Sequence, residues 1–247
     1  KIRTLAWIMT EGNIEGNSRT KKDGIPGVIR ISQSDAPDGR LQVLEADLIE
    51  AGIEFTKSKR VMNDGIHRNY DAYRYNLKDV KNLWEWMGKY IDINKNPTDL
   101  LFLMSQWERE IFLDVWLLAD GSVDKADGST GFQLATNNNK HVDFLQSVLV
   151  RSGYRSTVSS SSDGMYYIHC CATQVVFTNK DNWSEMEYDG LVWCVSVDNG
   201  TLLVRRNNKC AITMNTHDAW YVPIERERLT DAGEVRNDIQ HHVRTPT

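Results

Sequence analysis

Two stretches of this chain make sense only when laid over one another: Thr4-Leu5-Ala6-Trp7-Ile8-Met9-Thr10-Glu11-Gly12 and Leu113-Asp114-Val115-Trp116-Leu117-Leu118-Ala119-Asp120-Gly121. Each is an apolar helical run ending in acid-glycine. Each carries Trp one helical turn before the acid, and each is followed by a polar segment with a second acid, Glu15 or Asp124. The duplication continues downstream, and a repeat of that length requires two copies of one structural unit. After Gly12 come an extended run, Gly27 to Ser34, and an amphipathic run, Leu41 to Gly52; after Gly121 come Gly131 to Asn137 and Val142 to Gly153. A further aromatic, alternating segment closes each half, His67 to Leu77 and Met165 to Gln174. The copies differ in loop length, not in plan.

Local patterns fill in the unit. Leu5, Ile8 and Met9 share a stripe, which predicts a buried helix over 1–12 stopped by Gly12 and Asn13. Val28, Ile29 and Ile31 interleave with Arg30, Ser32 and Ser34, the pattern of a strand with one packed and one polar face. A helix from Arg40 to Ala51 is expected to bury Leu41, Leu44, Leu48 and Ile49. His67 to Tyr75 reads as a second strand after an Asp64-Gly65 turn, and Val80, Leu83, Trp84 and Met87 mark another helix. Asn94-Lys95-Asn96-Pro97 separates the halves, and Ser105 to Ala119 opens the second. The run Ser159 to Ser162 with Asp163-Gly164 reads as a flexible hairpin connection. The tryptophans read as core. Beyond about residue 183 the character changes: Leu191 to Val197 and Thr201 to Val204 are strands joined through Asn199-Gly200, Cys210 to Thr213 is a third, and 216–247 is an acidic, partly ordered tail.

With 247 residues and 40% hydrophobic content the chain has material for one or two cores. No apolar run approaches the ~20 residues of a bilayer span, and no signal peptide precedes Lys1, so a soluble, intracellular protein without a membrane partner is expected. From its opening on Lys, directly in a helix, the chain is expected to be a piece of something longer. Four cysteines, with neither zinc spacing nor the density of a disulfide scaffold, read as reduced. Net charge is −5, which on its own argues against a nucleic-acid partner. Most of that deficit falls after residue 180, however, and Arg19, Lys21, Lys22 and Arg30 face only Asp23 around the first extended run.

The two acid-glycine helices, each followed by strand, helix and strand, resemble the two motifs of a single-chain LAGLIDADG homing endonuclease over roughly residues 1–180. Thr10-Glu11-Gly12 and Ala119-Asp120-Gly121 match the end of the motif; Ala6 and Val115 stand where the family has its first Gly, and Glu11 replaces the final Asp. The resemblance implies an α+β fold of two pseudo-symmetric αββαββα repeats, 1–96 and 97–182, forming a DNA-binding β-saddle. A second resemblance covers 188–216, similar to the C-terminal splicing blocks of phage-type inteins, with Cys194, Asn215 and Thr216 at the splicing positions. It implies a small β-rich, intein-like segment over 183–215 and flanking host protein over 216–247. Met214 replaces the usual penultimate His and the N-terminal splicing blocks are absent, so no splicing is expected.

From the resemblance follows a site. Two packed helices bring the acids at their ends together, and paired carboxylates suit a hard divalent cation, Mg2+, or Ca2+ or Mn2+ in its place. Glu11 and Asp120 are therefore the expected metal ligands and catalytic acids, with Lys57, Lys59 and Lys140 as charge stabilisers near the phosphate. Strand residues of the Arg, Gln, Asn, Ser, Thr and Tyr types read base edges in a major groove. Those expected to face double-stranded DNA are Arg19, Lys21, Lys22, Arg30, Ser32, Ser34, Arg68, Tyr70, Arg74, Gln133, Thr136, Asn137 and His169. The implied activity is site-specific double-strand cleavage by a monomer. Two other readings stand beside it: a binding module of maturase or regulator type that has lost cutting, and a protein-splicing element with a passenger nuclease.

Overall fold

The structure is a computed structural model that describes residues 1–16, 24–60, 71–123, 131–172, 197, 200–206, 208–214, 222–229 and 235–242. Two compact units emerge, one of residues 1–176 with 206–210, the other of 177–205 with 211–247.

In the first unit the chain runs α1 (Ile2–Glu11), β1 (Gly12–Glu15), β2 (Val28–Ser34), α2 (Arg40–Glu50), β3 (Phe55–Arg60), β4 (Ala72–Leu77) and α3 (Val80–Met87). A 3-10 turn (Asp99–Leu103) leads into the second pass: α4 (Gln106–Asp120), β5 (Gly121–Val123), β6 (Phe132–Thr136), α5 (Asn139–Arg151), β7 (Arg155–Ser160) and β8 (Tyr166–Cys171). Strand orders β1-β2-β4-β3 and β5-β6-β8-β7 are the same arrangement twice, antiparallel throughout. Gly12 pairs with Ile31 as Gly121 pairs with Leu134, so the halves align residue by residue. This is the α+β plan expected: αββαββα in the first half, and αββαββ over the described residues of the second.

α1 and α4 pack on each other at the centre. Both motif tryptophans, Trp7 and Trp116, are fully buried, in one core with Leu5, Ile8, Phe112 and Phe144. α4 opens with a capping box in which the Ser105 side chain accepts from the Glu108 amide while Glu108 accepts from the Ser105 amide. The duplicated indoles find different acceptors. Trp116 Nε1 donates to the Ala135 carbonyl at 3.3 Å, whereas Trp7 Nε1 donates to Asp47 Oδ2 at 2.8 Å. Asp47 is buried and also accepts from Arg3. It takes the inward position of α2 that the pattern gives to Ile49, which is 69% exposed. The reason is polar satisfaction: a buried indole N–H left unpaired costs about 1–3 kcal/mol. Asp47→Ala is therefore expected to destabilise the protein by about that amount and Asp47→Asn by less, as read by urea unfolding; equal losses would contradict the indole bond.

Several expectations need correction. The polar segments after the motif glycines are strands, β1 and β5. Ser159 and Ser160 complete β7, and the connection proper runs from Ser161 to Met165, where the Ser161 amide donates to the Met165 carbonyl. Trp107 is 68% exposed and not core. Gly12 and Gly121 do not end their helices through a left-handed conformation, since both are extended (φ −82 and −119).

Beyond the repeats, β9 (Thr201–Arg206) follows Gly200, whose φ of +66 suits the expected Asn-Gly turn. β10 (Lys209–Met214) contains the expected third strand. The tail is more regular than its composition suggests: β11 (Val222–Leu229) and β12 (Val235–His242) pair antiparallel from Val222↔His242 to Leu229↔Val235.

Candidate functional site

Each motif acid is the last residue of its helix, and the chain enters a strand at the next residue. That junction explains the glycine. A Cβ on Gly12 would lie 2.3 Å from the Ile8 carbonyl oxygen, and one on Gly121 would lie 2.5 Å from that of Leu117. No side chain fits without moving the helix end that carries the acid.

Glu11 and Asp120 are both half-buried and lie within electrostatic reach of one another. Glu11 is raised to about 7, first by burial and then by the charge of Asp120; Arg40, Gln33 and Lys95 pull the other way. Asp120 is raised by burial, with Lys95 and Arg40 opposing. Gln33, buried on the inner face of β2, donates weakly from Nε2 to Glu11 Oε1 at 3.4 Å. Its Oε1 accepts from the Ser34 amide at 2.8 Å, which fixes the amide's direction.

Among the described residues, the cations that bear on the acids are thus Lys95 and Arg40, not Lys57, Lys59 or Lys140. Lys57 is paired with Glu45 at 2.6 Å and sits over the Tyr73 ring; Lys59 is paired with Asp71 at 2.7 Å. Lys140 is exposed in the first turn of α5, its backbone amide donating to the Asn138 side chain. Lys95 Nζ donates to the Met9 and Gly12 carbonyls, each at 2.9 Å, so an ammonium neutralises the negative end of α1. Burial lowers its pKa while both acids oppose that shift. Arg40 reaches the other motif helix, donating to the Ala119 carbonyl at 3.3 Å.

Lys95 is held in place at some conformational cost. Its φ is +65, unusual for a residue with a Cβ. Asp92 Oδ1 accepts from the amides of Asn94 and Asn96, and Asn138 Nδ2 donates to Asn96 Oδ1. His141 Nε2 donates to the Lys95 carbonyl at 2.8 Å, which leaves Nδ1 to accept from the Thr136 hydroxyl at 3.1 Å. Burial drives the imidazole pKa down to about 4, so the ring is neutral. Thr136 therefore does not face a ligand. It is buried and helps second-half residues hold the loop that carries Lys95 to the first-half helix end.

The outward sheet faces hold most of the other described candidates. In the first half Asn13, Arg30, Asn76 and Thr56 form one cross-strand row, and Ser32, Arg74 and Ser58 the next, with Ser34 beyond. In the second half the first row is Ser122, Gln133, His169 and Thr157. Asn137 is exposed just past β6. Arg30 is pinned by Glu15 at 2.5 Å, leaving its Nε buried and without a partner. His169 shares a 2.9 Å hydrogen bond with Ser159 Oγ. Arg19, Lys21, Lys22, Arg68, Tyr70, Cys194, Asn215 and Thr216 lie outside the described residues.

Two half-buried carboxylates within electrostatic reach of one another form a pair of hard-oxygen donors. Mg2+ commonly takes such a set, one or two protein carboxylates with waters and substrate oxygens completing the shell. The raised acids fit this reading, because burial leaves them short of positive charge in the absence of an ion.

The same shifts set a pH dependence. The folded-state pKa of Glu11 lies above its ordinary 4.5, so its stabilising contribution is full below pH 4.5 and is lost as pH rises through 7. A displacement of that size corresponds to about 3 kcal/mol. In a metal chelator, Glu11→Gln is expected to be more stable than the parent at pH 8 and close to it at pH 4.5, in urea unfolding at both values. An unchanged difference between the two pH values would contradict the burial of this acid.

No protein-family model matches the chain. No curated protein matches it either. Among solved structures, the homing endonuclease I-WcaI bound to its DNA recognition sequence aligns with TM-score 0.50 and 12% identity, over 69% of this chain and 74% of that one. I-DmoI in complex with DNA and Mn aligns with TM-score 0.45 and 12% identity, over 68% and 87%. The N-terminal LAGLIDADG domain of DUF199/WhiA does so with TM-score 0.45 and 12% identity, over 68% and 73%. The fold is that of the LAGLIDADG homing endonucleases.

Proposed function

We propose that the chain is a LAGLIDADG-type, site-specific endonuclease that makes a double-strand break in a long DNA target with a divalent metal ion. The observation that carries this reading is the pair of acids, Glu11 and Asp120, ending two packed helices at equivalent places in two repeats. One acid per repeat suits one strand cut per repeat. A binding module has no need of two desolvated carboxylates. That I-WcaI, with which the chain shares its fold, is a homing endonuclease bound to its DNA recognition sequence supports the same reading.

In this proposal Glu11 and Asp120 hold Mg2+, or Mn2+ or Ca2+ in its place. The ion supplies a water of lowered pKa and charge neutralisation at the scissile phosphate. Gln33 orients Glu11. Lys95 and Arg40 fix the two helix ends and offset the charge gathered there once phosphate enters. The outward rows, from Arg30, Ser32 and Arg74 to Gln133 and His169, face the base edges and backbone of the duplex. The intein-like segment around Cys194, Asn215 and Thr216 is assigned no splicing step, in keeping with Met214 at the penultimate position.

The test is recovery of linearised plasmid from a library of random inserts, with Mg2+ and with a chelator. Linear products sharing one long sequence, formed only with the metal, are expected. Sequence-independent degradation would overturn the proposal.

A further inference from the structure

The first row of each outward sheet face can be compared position by position. In the first half it is Asn13, Arg30, Asn76, Thr56 and ends there, because β3 is the last strand of that sheet. In the second half it is Ser122, Gln133, His169, Thr157, and it does not end: Lys209 pairs with Thr157. Lys209 comes from beyond both repeats, yet the segment 206–210 belongs to the same compact unit as they do. It is anchored by Gln146, a fully buried side chain whose Nε2 donates to the Asn208 carbonyl at 2.8 Å and reaches Ser156 Oγ at 3.4 Å. Asn208 takes a left-handed φ of +60, a conformation that asparagine tolerates. A buried amide tying down the residue that precedes it holds Lys209 in register.

The rim beside Lys209 differs in charge between the halves. Arg155 lies two residues before Thr157 on the same exposed face of β7, diagonal to Lys209. Thr157 corresponds to Thr56, so Arg155 corresponds to Glu54, which is exposed at the first half's rim. One rim therefore offers Arg155 and Lys209 where the other offers Glu54. The lysines of β3 do not restore the balance, because Lys57 and Lys59 are matched to Glu45 and Asp71.

We propose that Arg155 and Lys209 form an outer phosphate clamp belonging to the second repeat alone, so that the DNA footprint extends further on that side than on the first. The inference rests on the DNA-binding reading above. Its chemistry is nonspecific and ionic: two exposed cations at diagonal positions of neighbouring strands, about 7–8 Å apart, contact the backbone outside the bases that the four-strand row reads. Affinity is gained there without added sequence discrimination.

The test uses the full chain, the selected target duplex, salt-dependent binding and phosphate-ethylation interference. For Arg155→Ala/Lys209→Ala, the slope of log affinity against log salt is expected to fall by about 2, at roughly 0.9 per phosphate contact. Interference is expected to vanish at one end of the footprint only, with base preference unchanged. Conversely, Glu54→Lys is expected to tighten binding and to add interference at the opposite end. All three substitutions are at exposed positions, and a melting temperature equal to the parent's confirms intact folding. An unchanged slope and footprint in the double variant, with Arg74→Ala weakening binding, overturns the clamp and leaves the function standing. Failure of the parent chain itself to bind any duplex overturns both.

Discussion

Glu11→Gln and Asp120→Asn should each abolish double-strand cleavage while leaving affinity for the target within roughly tenfold of the parent, because the lost carboxylate holds metal and not DNA. Each substitution keeps the volume and hydrogen-bonding reach of the side chain and removes only the charge. The helix pair loses nothing by it. Glu11 even gains, since a neutral amide escapes the burial and the Asp120 charge that push its carboxyl up to about 7. Removing negative charge where phosphate must approach favours binding as well. Parallel gel-shift and plasmid-cleavage assays separate the two effects. Cutting at the parent's rate in either variant, or affinity lost together with activity, would contradict the assignment.

The second large effect is expected at the motif glycines. Gly12→Ala places a methyl group 2.3 Å from the Ile8 carbonyl oxygen, and Gly121→Ala places one 2.5 Å from that of Leu117. Both obstacles are helix backbone, so the strand must swing away or the last helical turn must open. Either movement displaces the acid one residue before. A misplacement of about 1 Å in a catalytic group costs on the order of a hundredfold in rate. At Gly12 the damage extends to the carbonyl that Lys95 Nζ holds at 2.9 Å. Cleavage by either alanine variant is expected to fall at least a hundredfold, with a loss of stability that neither Glu11→Gln nor Asp120→Asn shows. Near-parental cleavage would mean that the acids tolerate movement and are not held in a fixed geometry.

Much of this was legible in the residues because the chain says it twice. The duplicated Trp, acid and glycine fix the helix pair, and the apolar alternation of β2 and the amphipathic runs of α2 and α5 fix the order of elements around it. What was not legible follows from contacts distant in sequence. Phe55–Arg60 has little apolar alternation, so β3 exists because β4 offers it a partner from Leu77 to Ala72. Asp47 is buried because the Trp7 indole needs an acceptor, which no helical periodicity reports. Thr136 was expected at the DNA face from its residue type. Its alternation with Leu134 already placed it inward, and inward is where His141 meets it. Lys95 was hidden in a stretch that reads as a break between halves. The one local hint is Asp92 with Asn94 and Asn96 around it, a cluster of side-chain acceptors and donors suited to a built turn. Lys57 and Lys59 were the more conspicuous lysines, but each has an acid of its own.

The most direct test of the central claim, that two equivalent acids at the ends of two packed helices carry the cutting, is cleavage of the selected target in Mg2+ by the parent and by the Glu11→Gln/Asp120→Asn double variant at matched occupancy of the DNA. Linearised product from the parent and neither nicked nor linear product from the double variant is the expected result. Cleavage by the double variant at a rate comparable to the parent's would show that the chemistry lies elsewhere in the chain.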